Sequence, residues 1–171
     1  MKQKSIMIIA GEISGDMHAA ALLRALQRQG AALDSFGVGG DELRAAGMQV
    51  LYDIRQMAVL GFSDVLRNYF FFRRVFNDLL ALARARRPEV ILLVDYPGFN
   101  LRFAARAQAL GLKVVYYICP QVWAWHRARA HRLARIVQRL ITIFPFEKAI
   151  FAGSSLAVDF VGHPLVAAAR A

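Results

Sequence analysis

The chain has 171 residues, 57% of them hydrophobic, which suits one domain with a sizeable core and part of a second. Lys and Arg number 22 against 12 Asp and Glu, a formal net charge of +10, and this balance favours anionic partners: phosphorylated ligands, nucleic acid or an anionic membrane surface. The one cysteine, Cys119, excludes an internal disulfide and a cysteine-rich metal site, and no run approaches the ~18 apolar residues that a spanning helix needs.

Lys2 and Lys4 precede an apolar stretch at the N-terminus, but that stretch, Ile6 to Ala10, is short and is followed at once by Glu12 and Asp16, so it is not a signal peptide. A cytosolic chain is the simple reading of the single cysteine. The order of elements is then strand, loop, helix, repeatedly. "SIMIIA" (5–10) is a strand, "GEISGD" (11–16) a loop, and "MHAAALLRALQRQG" (17–30) a helix with Leu22, Leu23 and Leu26 on one side and Gly30 as its stop. "DSFGVGG" (34–40) is a second strand ending in glycines, "DELRAAG" (41–47) a short helix with acids in its first turn, and "MQVLYD" (48–53) a third strand.

A long helical stretch follows at 57–87, and its middle, "NYFFFRRVF" (68–76), sets four Phe and a Tyr beside Arg73 and Arg74. Residues 70, 71 and 72 point in three directions on a helix, so they cannot all face one core. Either the helix is buried on most sides, or it carries an apolar patch rimmed by Arg that suits a membrane interface or acyl chains.

"EVILLVD" (89–95) is a buried strand, "LRFAARAQALG" (101–111) a helix closed by Gly111, and "KVVYYIC" (113–119) another buried strand. A basic helix (126–138), a strand (139–144), a short helix opened by Pro145 (145–153) and a last strand (156–162) complete the order. From Tyr96 to Phe146 there is no acidic residue, against eight Arg and Lys. Strands without alternation, separated by helices, predict a parallel sheet covered on both faces. The chain stops at "HPLVAAARA", just after a strand and a turn, which reads as a domain boundary.

In an open parallel sheet, ligands bind beyond the carboxyl ends of the strands. Four groups fall there: Glu12 and Asp16; Gly37, Gly39 and Gly40; Asp95 to Asn100; and Pro120 to His126. "GEISGD" lacks the dinucleotide fingerprint G-x-G-x-x-G and is not a Walker loop, and it carries acids where a phosphate would want bare backbone donors. Ser14 and Asp16 have a competing role as helix caps; Glu12 has no obvious one. Asp95 puts a charge where a buried strand ends, with Pro97, Gly98 and Asn100 turning the chain after it. "CPQVWAWHRARAHR" (119–132) joins Trp123 and Trp125 to Arg and His, a mixture that suits nucleic acid or phosphorylated sugars, or else a Trp pair packed under the sheet rim with solvated Arg outside. His126 and His131 lack carboxylate or cysteine companions, so they make no metal site.

Taken together, "AGEISGD" (10–16), "FGVGG" (36–40), "MAVLGFSDVL" (57–66), "VDYPGFN" (94–100), "PQVWAW" (120–125), "FPFEK" (144–148) and "VGHPL" (161–165) resemble lipid-A-disaccharide synthase, a glycosyltransferase of the GT-B fold. The resemblance implies a Rossmann-like, doubly wound α/β parallel sheet that is the N-terminal half of such an enzyme. Residues 1–165 would form the acceptor-binding domain and 166–171 the start of the connection to a C-terminal donor-binding half with no counterpart here. It further implies inverting transfer of 2,3-diacylglucosamine from its UDP-linked donor to the 6-hydroxyl of 2,3-diacylglucosamine 1-phosphate, giving a β-1,6 disaccharide and UDP. The implied setting is peripheral, at the cytoplasmic face of the inner membrane, with the two glycolipid substrates and a membrane surface as partners and a homodimer left open. No nucleic acid, metal or cofactor is implied.

Inversion by direct displacement needs a base for the acceptor hydroxyl, and the resemblance puts it on Asp95. Glu12 and Asp16 match other functional positions, with Ser14 beside them. Asn100 is expected to hydrogen-bond a sugar hydroxyl or cap the next helix, Trp123 and Trp125 to line the sugar site, and Arg127 and Arg129, from charge alone, to meet a phosphate. Phe62, Phe70, Phe71 and Phe72 are expected at the membrane or on acyl chains. Some members of the family carry a second Asp where this chain has Gly98, so no catalytic role is placed there. The competing readings are another envelope glycosyltransferase of the same fold, disfavoured because its first loop would be of the G-G-x-G-x-H kind, and a non-catalytic basic module that binds membrane or nucleic acid.

Overall fold

The computed structural model describes residues 4–58, 65–119 and 127–164. Phe62, Trp123, Trp125 and the expected domain boundary at 165–166 lie outside the described residues. In chain order the elements are β1 (Lys4–Ala10), α1 (Ile13–Arg28), β2 (Leu33–Gly39), α2 (Asp41–Ala45), β3 (Gln49–Asp53), α3 (Ile54–Ala58), α4 (Val65–Arg86), β4 (Val90–Val94), α5 (Pro97–Ala109), β5 (Val114–Tyr117), α6 (Arg127–Ile136), β6 (Arg139–Thr142), α7 (Glu147–Ile150) and β7 (Ala157–Phe160).

The strands form one seven-stranded sheet among the described residues, in the order β3-β2-β1-β4-β5-β6-β7, and every pairing is parallel. Successive residues of a strand face opposite sides, and here both sides are apolar. Met7, Ile9, Ile91 and Leu93 enter one core with Val75, Leu79, Phe103 and Leu133 of α4, α5 and α6. Ile8, Ala10, Leu92 and Val94 enter the other with Ala19, Ala20, Leu23 and Leu43 of α1 and α2. That is the physical basis of the unbroken apolar runs: a parallel sheet has no wet face.

The chain leaves β1 into a helix on one face and leaves the adjacent β4 into a helix on the other. The carboxyl ends of β1 and β4 are thus the topological switch point of the sheet, where such folds open a crevice.

Two helices begin earlier than their composition suggests. α1 starts at Ile13, so Ser14, Gly15 and Asp16 belong to its first turn instead of a loop. α5 starts at Pro97, which occupies the first helical position, where the missing N–H of proline costs nothing. Pro97, Gly98 and Asn100 are therefore the opening turn of a helix, not a connecting turn. The helical stretch expected over 57–87 is α3 and α4, with 59–64 outside the described residues. On α4, Val75, Leu79 and Ala83 form a fully buried stripe. Phe71 and Phe72 pack half-buried against that core, while Tyr69 and Phe70 are 60% and 62% exposed. The patch expected over Phe70, Phe71 and Phe72 is thus carried by Phe70 together with Tyr69.

Asp16 ties α1 to α2. Its carboxylate is 3% exposed and accepts the backbone N–H groups of Gly40 at 2.6 Å, Glu42 at 3.0 Å and Leu43 at 3.2 Å. These are the orphan donors at the start of α2, a helix of five residues with no capping side chain of its own. A Cβ on Gly40 would sit 2.6 Å from Asp16 Oδ2, so the approach requires glycine. Asp16→Ala is expected to destabilise the fold by about 2–4 kcal/mol, since three buried donors lose a charged acceptor; denaturant titration checks it, and a loss under ~0.5 kcal/mol would contradict the cap.

Candidate active site at the carboxyl edge of the sheet

Ala10 pairs with Val94 at the ends of β1 and β4, so the residues that follow each strand meet. Tyr96 lies against Gly11: a Cβ on Gly11 would come within 2.3 Å of the Tyr96 ring. Only glycine admits the ring there.

Asp95 and Tyr96 both take left-handed backbone conformations, with φ of 45° and 50°. For residues other than glycine this costs about 1–2 kcal/mol each, and such strain persists only where surrounding contacts over-determine it. Here they do. The Asp95 N–H donates to the Tyr117 carbonyl at 3.1 Å. The Asp95 carbonyl accepts the Tyr116 hydroxyl at 2.6 Å and Asn100 Nδ2 at 2.8 Å. The peptide groups on both sides of Asp95 are thus fixed by β5 and α5.

Asn100 is the hub of this arrangement. It is fully buried, and its Nδ2 also lies 3.3 Å from the carbonyl oxygens of Ile9 and Val94, so one amide joins the ends of β1 and β4 to the strained turn. Asn100 was expected to meet a sugar hydroxyl or to cap the next helix; in the fold its donor is committed to backbone carbonyls. Its Oδ1 is buried with no hydrogen-bond partner among the described residues.

The electrostatics of the edge follow from partial burial. Burial holds the Asp95 carboxyl above the usual carboxylate range, opposed by the Tyr96 N–H and by His18. Burial, and then His163, hold the His18 imidazole below its usual value, while Asp95 pulls it up. The Tyr96 phenol is raised by burial and by Glu12. His18 thus lies near both Asp95 and His163, and Glu12 near Tyr96. Glu12 occupies the N-cap position of α1 without making a capping bond, and its side chain is exposed.

Of the three acids expected there, Asp95 follows β4 and Glu12 lies near the neighbouring Tyr96. Asp16 is committed to the α2 cap, so its carboxylate serves the scaffold. Ser14 is exposed in the first turn of α1. Arg127 and Arg129 fall in the first turn of α6, with side chains outside the described residues. Further along the same edge, Glu147 is 2% exposed and accepts the Phe144 N–H at 3.1 Å; burial raises its carboxyl, and burial together with Glu147 raises the Cys119 thiol.

Sequence reading passed over His18, Tyr96, Tyr116 and His163. His163 lies within "VGHPL", and Tyr96 directly follows Asp95 in "DYPGFN", so both sat in motifs already singled out. His18 and Tyr116 carried no such signal.

The folded protein holds the Asp95 proton more tightly than the unfolded chain does. Stability from this group is complete below the usual carboxylate range and is lost as pH rises through the raised folded value. Asp95→Asn removes that loss. It is expected to stabilise the fold relative to the parent at neutral pH, with a gain that shrinks as pH falls through the raised folded value and is nearly gone below about pH 4; thermal unfolding across pH checks this, and a gain that does not change with pH would contradict it.

The family model for lipid-A-disaccharide synthetase (LpxB) matches residues 6–170. The chain is 43% identical over 162 residues to lipid-A-disaccharide synthase 1 of Legionella pneumophila (strain Lens), covering 94% of this chain and 42% of that protein. It is 46% identical over 162 residues to lipid-A-disaccharide synthase of Anaeromyxobacter dehalogenans (strain 2CP-C), covering 93% and 42%. The chain thus spans less than half the length of these relatives. Among solved structures, UDP-GlcNAc 2-epimerase from Neisseria meningitidis, bound to UDP-GlcNAc, matches with a TM-score of 0.64 at 12% identity, over 99% of this chain and 48% of that one. Acinetobacter baumannii MurG matches with a TM-score of 0.56 at 18% identity, over 92% and 44%. At such identities these two show the fold alone: a Rossmann-like half of the kind that GT-B glycosyltransferases and epimerases share. With residues 6–170 inside one family model, the chain belongs to the lipid-A-disaccharide synthetase family.

Proposed function

We propose that this chain is the acceptor half of a lipid-A-disaccharide synthase, that residues 1–165 form the acceptor-binding domain, and that Asp95 is its general base. The acceptor 6-hydroxyl gives its proton to Asp95 as its oxygen attacks the anomeric carbon of UDP-2,3-diacylglucosamine from the face opposite UDP. The bond from that carbon to the phosphate oxygen breaks, UDP leaves with the electron pair, and the configuration inverts.

The observation that carries the reading is the Asp95 carboxylate itself, half-buried at the switch point on a clamped, strained turn. Burial makes it a stronger base than a solvated carboxylate, and base strength tuned upward is what proton abstraction from an alcohol calls for. Glu12, exposed beside Tyr96, orients the acceptor sugar. His18, where protonated, favours the ionised form of Asp95.

In the protein that carries this chain, Asp95→Asn is expected to lower kcat by about 10²–10⁴-fold, the usual contribution of a positioned base, with the acceptor KM changed little. Because the Asp95 carboxyl is raised, the acid limb of kcat/KM should fall above the ordinary carboxylate range in the parent and disappear in the variant. A variant retaining a third of the parental rate would exclude Asp95 as the base. Residues 1–171 alone should give no measurable transfer; turnover by them would contradict the division into an acceptor and a donor half.

No described helix is long and apolar enough to cross a membrane. The proposed setting is the cytoplasmic surface of the inner membrane, contacted through Tyr69 and Phe70. Phe70→Ser is expected to weaken binding to anionic liposomes severalfold while leaving the unfolding transition in place, since Phe70 is mostly exposed. Unchanged liposome binding would contradict this contact.

A further inference from the structure

A groove of about 660 Å³ runs between α4 and α5, within the range of sites that hold small ligands. Its floor is aromatic: Phe72 and Phe76 from α4, Tyr96 and Phe99 from the start of α5. The rings brace one another, Phe76 edge-on to Phe99 at 5.5 Å between centroids and Tyr96 stacked on Phe99 at 6.1 Å, so the floor is preformed.

The walls are cationic. Arg73 comes from α4, Arg102 and Arg106 from successive turns of α5, and Arg132 from α6. None of the four is ion-paired with a carboxylate among the described residues, whereas Arg24, Arg44, Arg55, Arg74 and Arg139 all are. Both α5 and α6 lack any acid. Like charges one helical turn apart repel, and four gathered around one apolar slot repel more, unless an anion enters. The charge and the floor together specify the ligand: an apolar chain to cover the rings and an anionic head to meet the guanidiniums, whose paired donors match phosphate oxygens.

We propose that this groove binds one acyl chain and the phosphate of the acceptor glycolipid, as a single lipid molecule. Tyr96 is shared between the groove and the crevice, so a lipid seated there presents its sugar next to Asp95. The identity of the lipid rests on the transfer reading above; the demand for an acylated phosphate rests on the groove alone.

The test uses dodecyl phosphate below its micelle concentration, with dodecyl maltoside and inorganic phosphate as controls, titrated calorimetrically into the 171-residue chain. Dodecyl phosphate should bind at least tenfold more tightly than either control. Arg102→Gln with Arg106→Gln should weaken it about tenfold and remove the preference over the maltoside. Gly98 lines the groove and a Cβ there meets nothing within 4 Å, so Gly98→Leu should fill the slot without disturbing the fold and abolish binding of the dodecyl chain. Equal affinity for the phosphate and maltoside amphiphiles, or binding untouched by Gly98→Leu in a folded protein, overturns the proposal. So does association seen only with anionic vesicles and not with the monomeric amphiphile. Asp95→Asn separates the two readings: it should leave dodecyl phosphate binding to the 171-residue chain intact while lowering transfer by the protein that carries the chain about 10²–10⁴-fold, so loss of the groove result with retention of the Asp95 result, or the reverse, shows which one has failed.

Discussion

One buried amide governs this fold's edge. Asn100 donates to the carbonyls of Ile9, Val94 and Asp95, three groups at the ends of two adjacent strands, and so joins the switch point to the first turn of α5. Without it the two consecutive left-handed residues would lack much of what offsets their strain. Tyr116 supplies a second hold on the same Asp95 carbonyl from β5. The peptide chain at Asp95 is therefore fixed from two elements, β5 and α5, while its carboxylate is left half-buried. Strain of this kind concentrates where function demands a side chain in a place that relaxed backbone would not put it.

The rest of the site is arranged around that turn. Gly11 makes room for the Tyr96 ring, the ring lines the α4–α5 groove, Glu12 lies near that ring and His18 near Asp95. The basic excess then acquires a location. Its acid-free stretch includes α5 and α6, which put Arg102, Arg106 and Arg132 around an aromatic slot. Net charge alone predicted only an anionic partner; the placement of the charge beside apolar rings narrows that to an amphiphile.

The sheet was legible because runs such as "VILLV" and "SIMIIA" can be buried on both faces and hardly anything else. The helix starts were less so. α1 opens with Glu12 at a cap position where its side chain does no capping, so no cap signal marks it, and Gly15 in the first turn reads as loop although it is buried. α5 opens with Pro97 and Gly98, a pair that reads as a turn in isolation. Asp95 was legible as a charge at a strand end, and the motif around it gave its family. The tasks of Asp16 and Asn100 were not, because their partners are remote in sequence: Asp16 caps a helix 24 to 27 residues away, and Asn100 reaches Ile9 across 91 residues. Polar residues that look alike in a motif are separated into scaffold and chemistry only by those long-range partners.

The central claim is that the hold on the Asp95 peptide sets the position and basicity of its carboxylate. Tyr116→Phe removes one hydroxyl from that hold and keeps the buried ring. The decisive measurement is the pH profile of kcat/KM for this variant in the protein that carries the chain. A severalfold or greater fall in kcat, a small change in acceptor KM and a displaced acid limb are expected. A profile and rate matching the parent, in a variant that has lost the hydrogen bond, would contradict it.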